Sequence, residues 1–348
     1  MKKSSLEDVA KAVGVSKTLV SMVLNGKAAK YGISKKTEEK VWKMVEEMGF
    51  KPNATARKLR TGKSNVLGLI VADISNPFYS KIARSIEDAA NKKGYHMLIC
   101  SSDENPKREA DLISILADQH QVDGLIVSST LDDSQMFDRL VKQKTPFLLL
   151  DREFSSGLFP SVTVDNRKGA EMLVQHLIDK GSKNIGVITL SPSHLSTLKD
   201  RVMGYRDALK KNNIELNDSL LREVSFENLR EDIINEVDFL LSPPNNVKAI
   251  FALNNLVALY ALEAINKRGL KIPKDIALVS FDDIELFQFT SPPITAISQP
   301  LDKLGENAMD LLFSLMNTKS EEATTDTVGI PNQRIVLPVE LMVRESCG

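Results

Sequence analysis

At 348 residues, with 42% apolar and 26% charged side chains, the chain has the makeup of a soluble globular protein of two or three folding units. No apolar run approaches the ~20 residues that span a bilayer, the start MKKSSLEDVAK lacks the apolar stretch of a secretory signal, and two cysteines, Cys100 and Cys347, are too few for a disulfide framework. The net charge of −1 conceals an imbalance: residues 1–63 hold 15 Lys/Arg against 6 Asp/Glu, an excess of nine positive charges, so the other 285 residues carry a net −10. A basic head on an acidic body is the footprint of a nucleic-acid-binding unit fused to one that does not bind nucleic acid.

The first predicted elements are two short helices in LEDVAKAVGVSKTLVSMVL, residues 6–24. Leu6, Val9, Ala10 and Val13 share one helical face. Ser5 and Asp8 form a capping box before it, Gly14 and Val15 turn the chain, and Ser16 caps a second helix that buries Leu19, Val20, Val23 and Leu24. Two amphipathic helices about a Gly turn are a helix-turn-helix, whose second helix enters a DNA major groove. A third helix follows from about Ser34 to Gly49, with Val41, Trp42, Val45 and Met48 as its apolar positions and Trp42 assigned to the core of the head. In KPNATARKLRTGK, Asn53 to Arg60 allow about two helical turns, too few for an isolated helix. Leu59 among Arg57, Lys58 and Arg60 suits a wedge between base steps in a minor groove.

From Val66 short apolar runs alternate with helical stretches, such as Phe78–Lys93 and Leu256–Arg268. The runs are VLGLIVADI, HMLICSS, VDGLIVSST and TPFLLLDRE, then, after SVTVDN, NIGVITLS, LLREVSF, VKAIFALNN and IALVSFDD. Alternation of this kind predicts parallel sheets in two similar lobes. Polar residues gather where the strands end: Asp73, Ser75, Asn76, Ser128, Asp151, Arg152, Asn254, Asn255, Asp282 and Asp283. Ligands bind beyond such ends, so a cleft between the lobes is expected. Asp283 and Asn255 read as helix caps, whereas Asp151, Asn254 and Asp282 read as ligand contacts. A final strand is expected over Ile335–Cys347.

These features resemble the lac-repressor (LacI/GalR) family of bacterial transcription regulators. The head matches in VAKAVGVSKTLVSMVLNG, the linker in PNATARKLRTGKS, and the resemblance runs over essentially the whole chain. It implies that Lys17, Thr18 and Met22 read bases, that Ser16, Ser21 and Asn25 hold phosphates, and that Asn53, Arg57 and Leu59 belong to a hinge helix at the centre of a palindromic operator. In the body it implies an effector site built from Phe78, Tyr79, Ser128, Asp151, Arg152, Arg201 (in KDRVMGY), Phe226, Asn254 and Asp282. Carboxylates and amides suit vicinal hydroxyls, and aromatic faces suit C–H surfaces. There are departures: Leu19 replaces a usual Thr, Met22 suits a thymine methyl, and the loop 26–33 is about three residues longer, with Lys27 and Lys30, then Lys35 and Lys36, placed for phosphate contacts. Asn255 departs from the usual Asn-Asp pair, and Tyr260, in place of a small residue, is expected to crowd the helix behind the site.

The expected organisation is an all-α helix-turn-helix head, 1–50, a hinge, 51–63, and an α/β body of two lobes, 64–164 plus 296–328 and 165–295 plus 329–348. The expected function is a cytoplasmic, nucleoid-associated dimer that represses carbohydrate-utilisation genes and is released from DNA by a sugar. Two other readings stay open. Arg152 with Arg201 also suits a phosphate or carboxylate, so the effector could be a sugar phosphate, or a nucleobase acting as corepressor; or the chain could be a sugar-binding protein without a DNA function. No G-x-S-x-G, Walker A or G-x-G-x-x-G motif occurs, and His96, His120, His176 and His194 have no metal-ligand spacing with the cysteines. Neither enzyme activity, metal nor cofactor is expected.

Overall fold

The computed structural model describes residues 5–24, 26–50, 63–318 and 333–348, and the chain divides into two units, 1–64 and 65–348. Asn25 and the hinge residues Asn53, Arg57 and Leu59 lie outside the described residues.

In the first unit, α1 (Leu6–Val13) opens with the capping box: Asp8 N–H donates to Ser5 Oγ at 3.2 Å, and Ser5 N–H donates to Asp8 Oδ2 at 2.8 Å. Two otherwise orphaned backbone donors are thereby satisfied. Gly14 ends the helix at φ +74°, the left-handed region that glycine enters without penalty. Ser16 Oγ accepts from Leu19 N–H at 3.1 Å and starts α2 (Lys17–Leu24). Ser34 caps α3 (Lys35–Glu47). The small core joins Val9, Ala10, Val20, Val23, Ala28, Val41 and Val45. Trp42 is not in it: the side chain is 46% exposed. Val41 and Val45 already form the buried stripe, and residue 42 lies ~100° further round the helix, so position on the helix outweighs hydrophobicity.

In the second unit the inner strands of each sheet are mostly apolar runs buried on both faces, as parallel sheets require, while the strands at the sheet edges are partly exposed. One sheet holds β1 (Val66–Val71), β2 (His96–Ser101), β3 (Gly124–Val127), β4 (Phe147–Leu150), β5 (Ser161–Val164) and β11 (Arg334–Leu337) in the order β11-β5-β4-β3-β1-β2, all parallel. The other holds β6 (Ile185–Leu190), β7 (Leu221–Val224), β8 (Ala249–Ala252), β9 (Ala277–Phe281), β10 (Thr295–Ser298) and β12 (Glu340–Met342) in the order β12-β10-β9-β8-β6-β7, with only β12 antiparallel. The two lobes repeat one strand order, so β4 and β9 occupy equivalent positions. The helices are α4 (Pro77–Lys92), α5 (Pro106–Ser114), α6 (Gln135–Lys142), α7 (Asn166–Asp179), α8 (Ser196–Lys211), α9 (Leu229–Leu241), α10 (Asn255–Lys267) and α11 (Leu301–Thr318).

Two boundaries differ from the sequence reading. The strand expected over Ile335–Cys347 is two strands in different sheets, divided at Pro338, which has no N–H for a ladder. Residues 334–337 therefore belong to the first lobe rather than the second, and 296–298, in β10, belong to the second rather than the first. The chain crosses between sheets after β5, after β10 and after β11.

Candidate functional site

A cavity of about 650 Å³ opens between the C-terminal strand ends of the two lobes. Strand equivalence places one aspartate on each side. Asp151 follows β4 and Asp282 follows β9, with φ of 67° and 69°. Asp tolerates this left-handed conformation better than most residues, and its use at both equivalent positions turns the chain off each strand into the cleft. Both line the cavity, and both are more than nine-tenths buried.

On the first lobe, Asn76 caps α4 by accepting from Phe78 N–H at 3.0 Å. This fixes Phe78 and Tyr79, whose rings meet edge to face at 4.9 Å, on the cavity wall. Tyr79 Oη donates to Asp151 Oδ2 at 3.2 Å. Asp151 Oδ1 is buried and has no hydrogen-bond partner. Burial raises the Asp151 carboxyl from 3.8 to about 6, with Arg152 and Arg201 holding it from rising further. Arg152 forks onto Glu104, with Nη1 to Oε2 at 2.7 Å and Nη2 to Oε1 at 2.6 Å. Its Nε is buried without a hydrogen-bond partner, 3.9 Å from Asp151 Oδ2.

On the second lobe, Arg201 of α8 donates through Nε to Asn166 Oδ1 at 2.8 Å and through Nη1 to the Leu253 carbonyl at 2.7 Å. Its Nη2 lies 3.5 Å from Asp282 Oδ1, and the guanidinium stacks 3.7 Å above the Phe281 ring. Gln299 Nε2 donates to the same Asp282 oxygen at 2.5 Å. Burial raises the Asp282 carboxyl, opposed by Arg201 and Gln299. Asn254 caps α10, accepting from Val257 N–H at 2.9 Å, and lines the cavity as well. Its oxygen is committed to the cap, and its amide nitrogen keeps donor capacity for a ligand.

Of the residues expected here, Phe78, Tyr79, Asp151, Arg152, Arg201, Phe226, Asn254 and Asp282 line one cavity. Ser128 does not: it is fully buried, and its Oγ is 3.2 Å from the Tyr79 hydroxyl, so it stands behind the wall and orients Tyr79. Tyr260 also lines the cavity. Asn255 is no cap; it pairs with Asn76 across the lobes through two amide hydrogen bonds of 2.9 and 3.3 Å. Asp283 forks onto Arg344 at 2.8 and 2.7 Å. The sequence reading missed Glu104 and Gln299. Glu104 had a signal, the polar run SSDEN immediately after β2, at a strand end like the others; Gln299 had none.

In the head, Lys17 and Thr18 are exposed on the first turn of α2, while Ser21 and Met22 are half-buried. Ser16 accepts the capping bond and keeps its hydroxyl hydrogen to donate. Lys27, Lys30, Lys35 and Lys36 are all exposed.

Comparison with known proteins agrees with this arrangement. Residues 5–53 match the model of bacterial regulatory proteins of the lacI family, and residues 64–339 match that of periplasmic binding proteins and the sugar binding domain of the LacI family. The HTH-type transcriptional regulator DegA of Bacillus subtilis is 33% identical over 347 residues, 99% of this chain and 98% of that protein. Among solved structures, the lac repressor dimer bound to operator and the anti-inducer ONPF superposes with a TM-score of 0.82 at 26% identity, covering 99% of each chain. The transcriptional regulator CelR in complex with cellobiose gives 0.70 at 27% identity, covering 99% of this chain and 100% of that one.

Proposed function

The chain belongs to the LacI family of bacterial regulatory proteins, and from that premise we propose that it is a dimeric repressor of carbohydrate-utilisation genes, released from a palindromic operator when an uncharged sugar binds between its lobes. In this reading it works in the cytoplasm, on the nucleoid. The observation that carries the effector class is the facing pair Asp151 and Asp282, one from each lobe, in a cavity walled by Phe78, Tyr79 and Phe226. The buried, unpartnered Oδ1 of Asp151 favours a ligand that donates a hydrogen bond. A sugar supplies hydroxyls for the carboxylates and C–H faces for the rings.

The effector acts by contacting both lobes at once. Contacts to Asp151 on one side and to Arg201 and Asp282 on the other stabilise one separation of the lobes, and the head responds to that separation. Coupling of this kind is typically ~1–3 kcal/mol and is reciprocal: operator DNA must weaken effector binding by the same factor. In the head, Lys17, Thr18 and Met22 read bases, Ser16, Ser21 and Asn25 hold phosphates, and the hinge residues Asn53, Arg57 and Leu59 engage the minor groove.

A thermal-shift panel of neutral sugars, sugar phosphates and nucleobases tests the effector class. A ligand at ~100 times its Kd stabilises the protein by about 2.7 kcal/mol, which a melting curve resolves. The expected result is a hit among neutral sugars that also releases the protein from a palindrome selected out of random duplex DNA. Hits confined to phosphorylated compounds or nucleobases would sink the reading.

Effector affinity is also expected to depend on pH through Asp151. Its carboxyl titrates near 6, and the ionised form is the better acceptor for a hydroxyl. Affinity is then full above about pH 7 and falls by up to roughly tenfold per pH unit below 6. Folding stability responds with the opposite sign: the native state holds this proton more tightly than the unfolded chain, so this group favours the fold as pH drops from about 6 towards 4. Calorimetric titrations between about pH 5 and 7.5 on the wild type and on Asp151→Asn check both; a pH dependence that survives in the variant assigns it elsewhere.

A further inference from the structure

We propose that Glu104 sets the charge class of the effector: by neutralising Arg152 it closes the cleft to phosphorylated and carboxylated compounds. This rests on the sugar reading above, which it narrows, and it reverses what the bare sequence allows, where Arg152 and Arg201 together look like an anion site.

The argument starts with the backbone. Asp103 and Glu104, just past β2, are consecutive non-glycine residues in the left-handed region, at φ 52° and 54°. Each is an uncommon conformation. The turn is pinned by Asp103 N–H to the Ala72 carbonyl at 2.8 Å and Asn105 N–H to the Ser102 carbonyl at 3.1 Å. It delivers the Glu104 carboxylate to Arg152, 48 residues away, as a two-bond fork in which both side chains are at most 9% exposed. A fork of this kind matches the geometry with which Arg takes a phosphate or carboxylate, and here it is already filled from within the chain.

The other two cations among the described lining residues are paired as well. Arg201 is held by Asn166, the Leu253 carbonyl and Asp282, and Arg230 is forked onto Glu263. The lining holds seven carboxylates against three guanidiniums. An anion entering the first-lobe side meets Glu104 and Asp151 at low dielectric, where like charges repel strongly. A hydroxyl meets no such barrier. Asp151 Oδ1 and Arg152 Nε are both buried without hydrogen-bond partners, one an acceptor and the other a donor. A hydroxyl, which donates and accepts at once, answers both.

The test uses the full-length protein, with inorganic phosphate and a hexose 6-phosphate as probes, titrated at constant ionic strength and read by thermal shift and calorimetry. The wild type is expected to show no saturable response up to about 10 mM. Glu104→Gln keeps the side-chain shape and removes its charge, and should bind phosphate at least ~10-fold more tightly, a gain that Arg152→Met added to it abolishes. Saturable phosphate binding by the wild type that Arg152→Met removes would overturn the proposal. So would a folded Glu104→Gln that takes phosphate no better than the wild type. Should Glu104→Gln not fold, Glu104→Asp, which draws the carboxylate back by one methylene, is expected to give a smaller gain, and no gain there counts against the proposal equally. Neutral sugars are assayed separately, so their failure would end the sugar reading without touching the phosphate result.

Discussion

Asp282→Asn is expected to weaken the effector response about 100-fold or more while leaving operator affinity in the absence of effector nearly unchanged. Asp282 is 6% exposed, and one of its oxygens receives Gln299 at 2.5 Å and faces Arg201 Nη2 at 3.5 Å. Asparagine fills the same volume and can still accept from Gln299, so the wall keeps its shape. What it removes is the charge that orients Arg201 and the charge-assisted bonds to ligand hydroxyls. Such bonds contribute ~1.5–3 kcal/mol each, and losing two at the weaker end of that range is about 3 kcal/mol, or a factor near 100. Alanine is the poorer test, because it strands both Arg201 and Gln299 and mixes unfolding with lost recognition. The check is a fluorescence-anisotropy titration of effector against the preformed DNA complex. An unchanged dose-response in the variant removes Asp282 from the site.

How far the sequence discloses this arrangement depends on the distance over which each signal acts. The head is legible because caps and periodicity are local: Ser5 with Asp8, Gly14 and Ser16 each act within four residues of their partners. The inner strands are legible because burial on both faces makes them apolar runs, and Asp151 and Asp282 stand out because each ends one. Trp42 shows the limit of composition, since its exposure follows from its place round the helix. Pro338 was visible, yet one continuous apolar pattern concealed a strand change between two sheets. The fork of Glu104 on Arg152 and the pairing of Asn255 with Asn76 join positions 48 and 179 residues apart. No local pattern carries them, and they decide whether an arginine or an asparagine near the cleft is available to a ligand.

The second large effect falls on Gly204, where packing and recognition meet. Helix propensity alone favours Gly204→Ala by ~1 kcal/mol. The structure predicts the reverse, because a Cβ at 204 in α8 would sit 2.2 Å from the Arg167 carbonyl oxygen and 2.9 Å from the Glu171 nitrogen, both backbone atoms of α7. Backbone cannot rotate away as a side chain does, so the two helices must separate by about 1 Å, at a cost of roughly 1–3 kcal/mol or more. The displacement reaches the cleft directly. Arg201 lies one turn before Gly204 on α8, and its Nε bond to Asn166, at the start of α7, is 2.8 Å long. Moving the helices apart stretches that bond and shifts the guanidinium that faces Asp282. Gly204→Ala is therefore expected to lower Tm by several degrees and also to weaken effector binding in the fraction that remains folded. Met203→Ala, at a neighbouring position that is 37% exposed, should change stability by no more than about 0.5 kcal/mol and leave effector binding intact. A melting curve and an effector titration on both variants decide it: a Gly204→Ala protein as stable as the wild type would mean that the helices have room to spare, and one that is less stable but binds effector normally would uncouple this packing contact from the site.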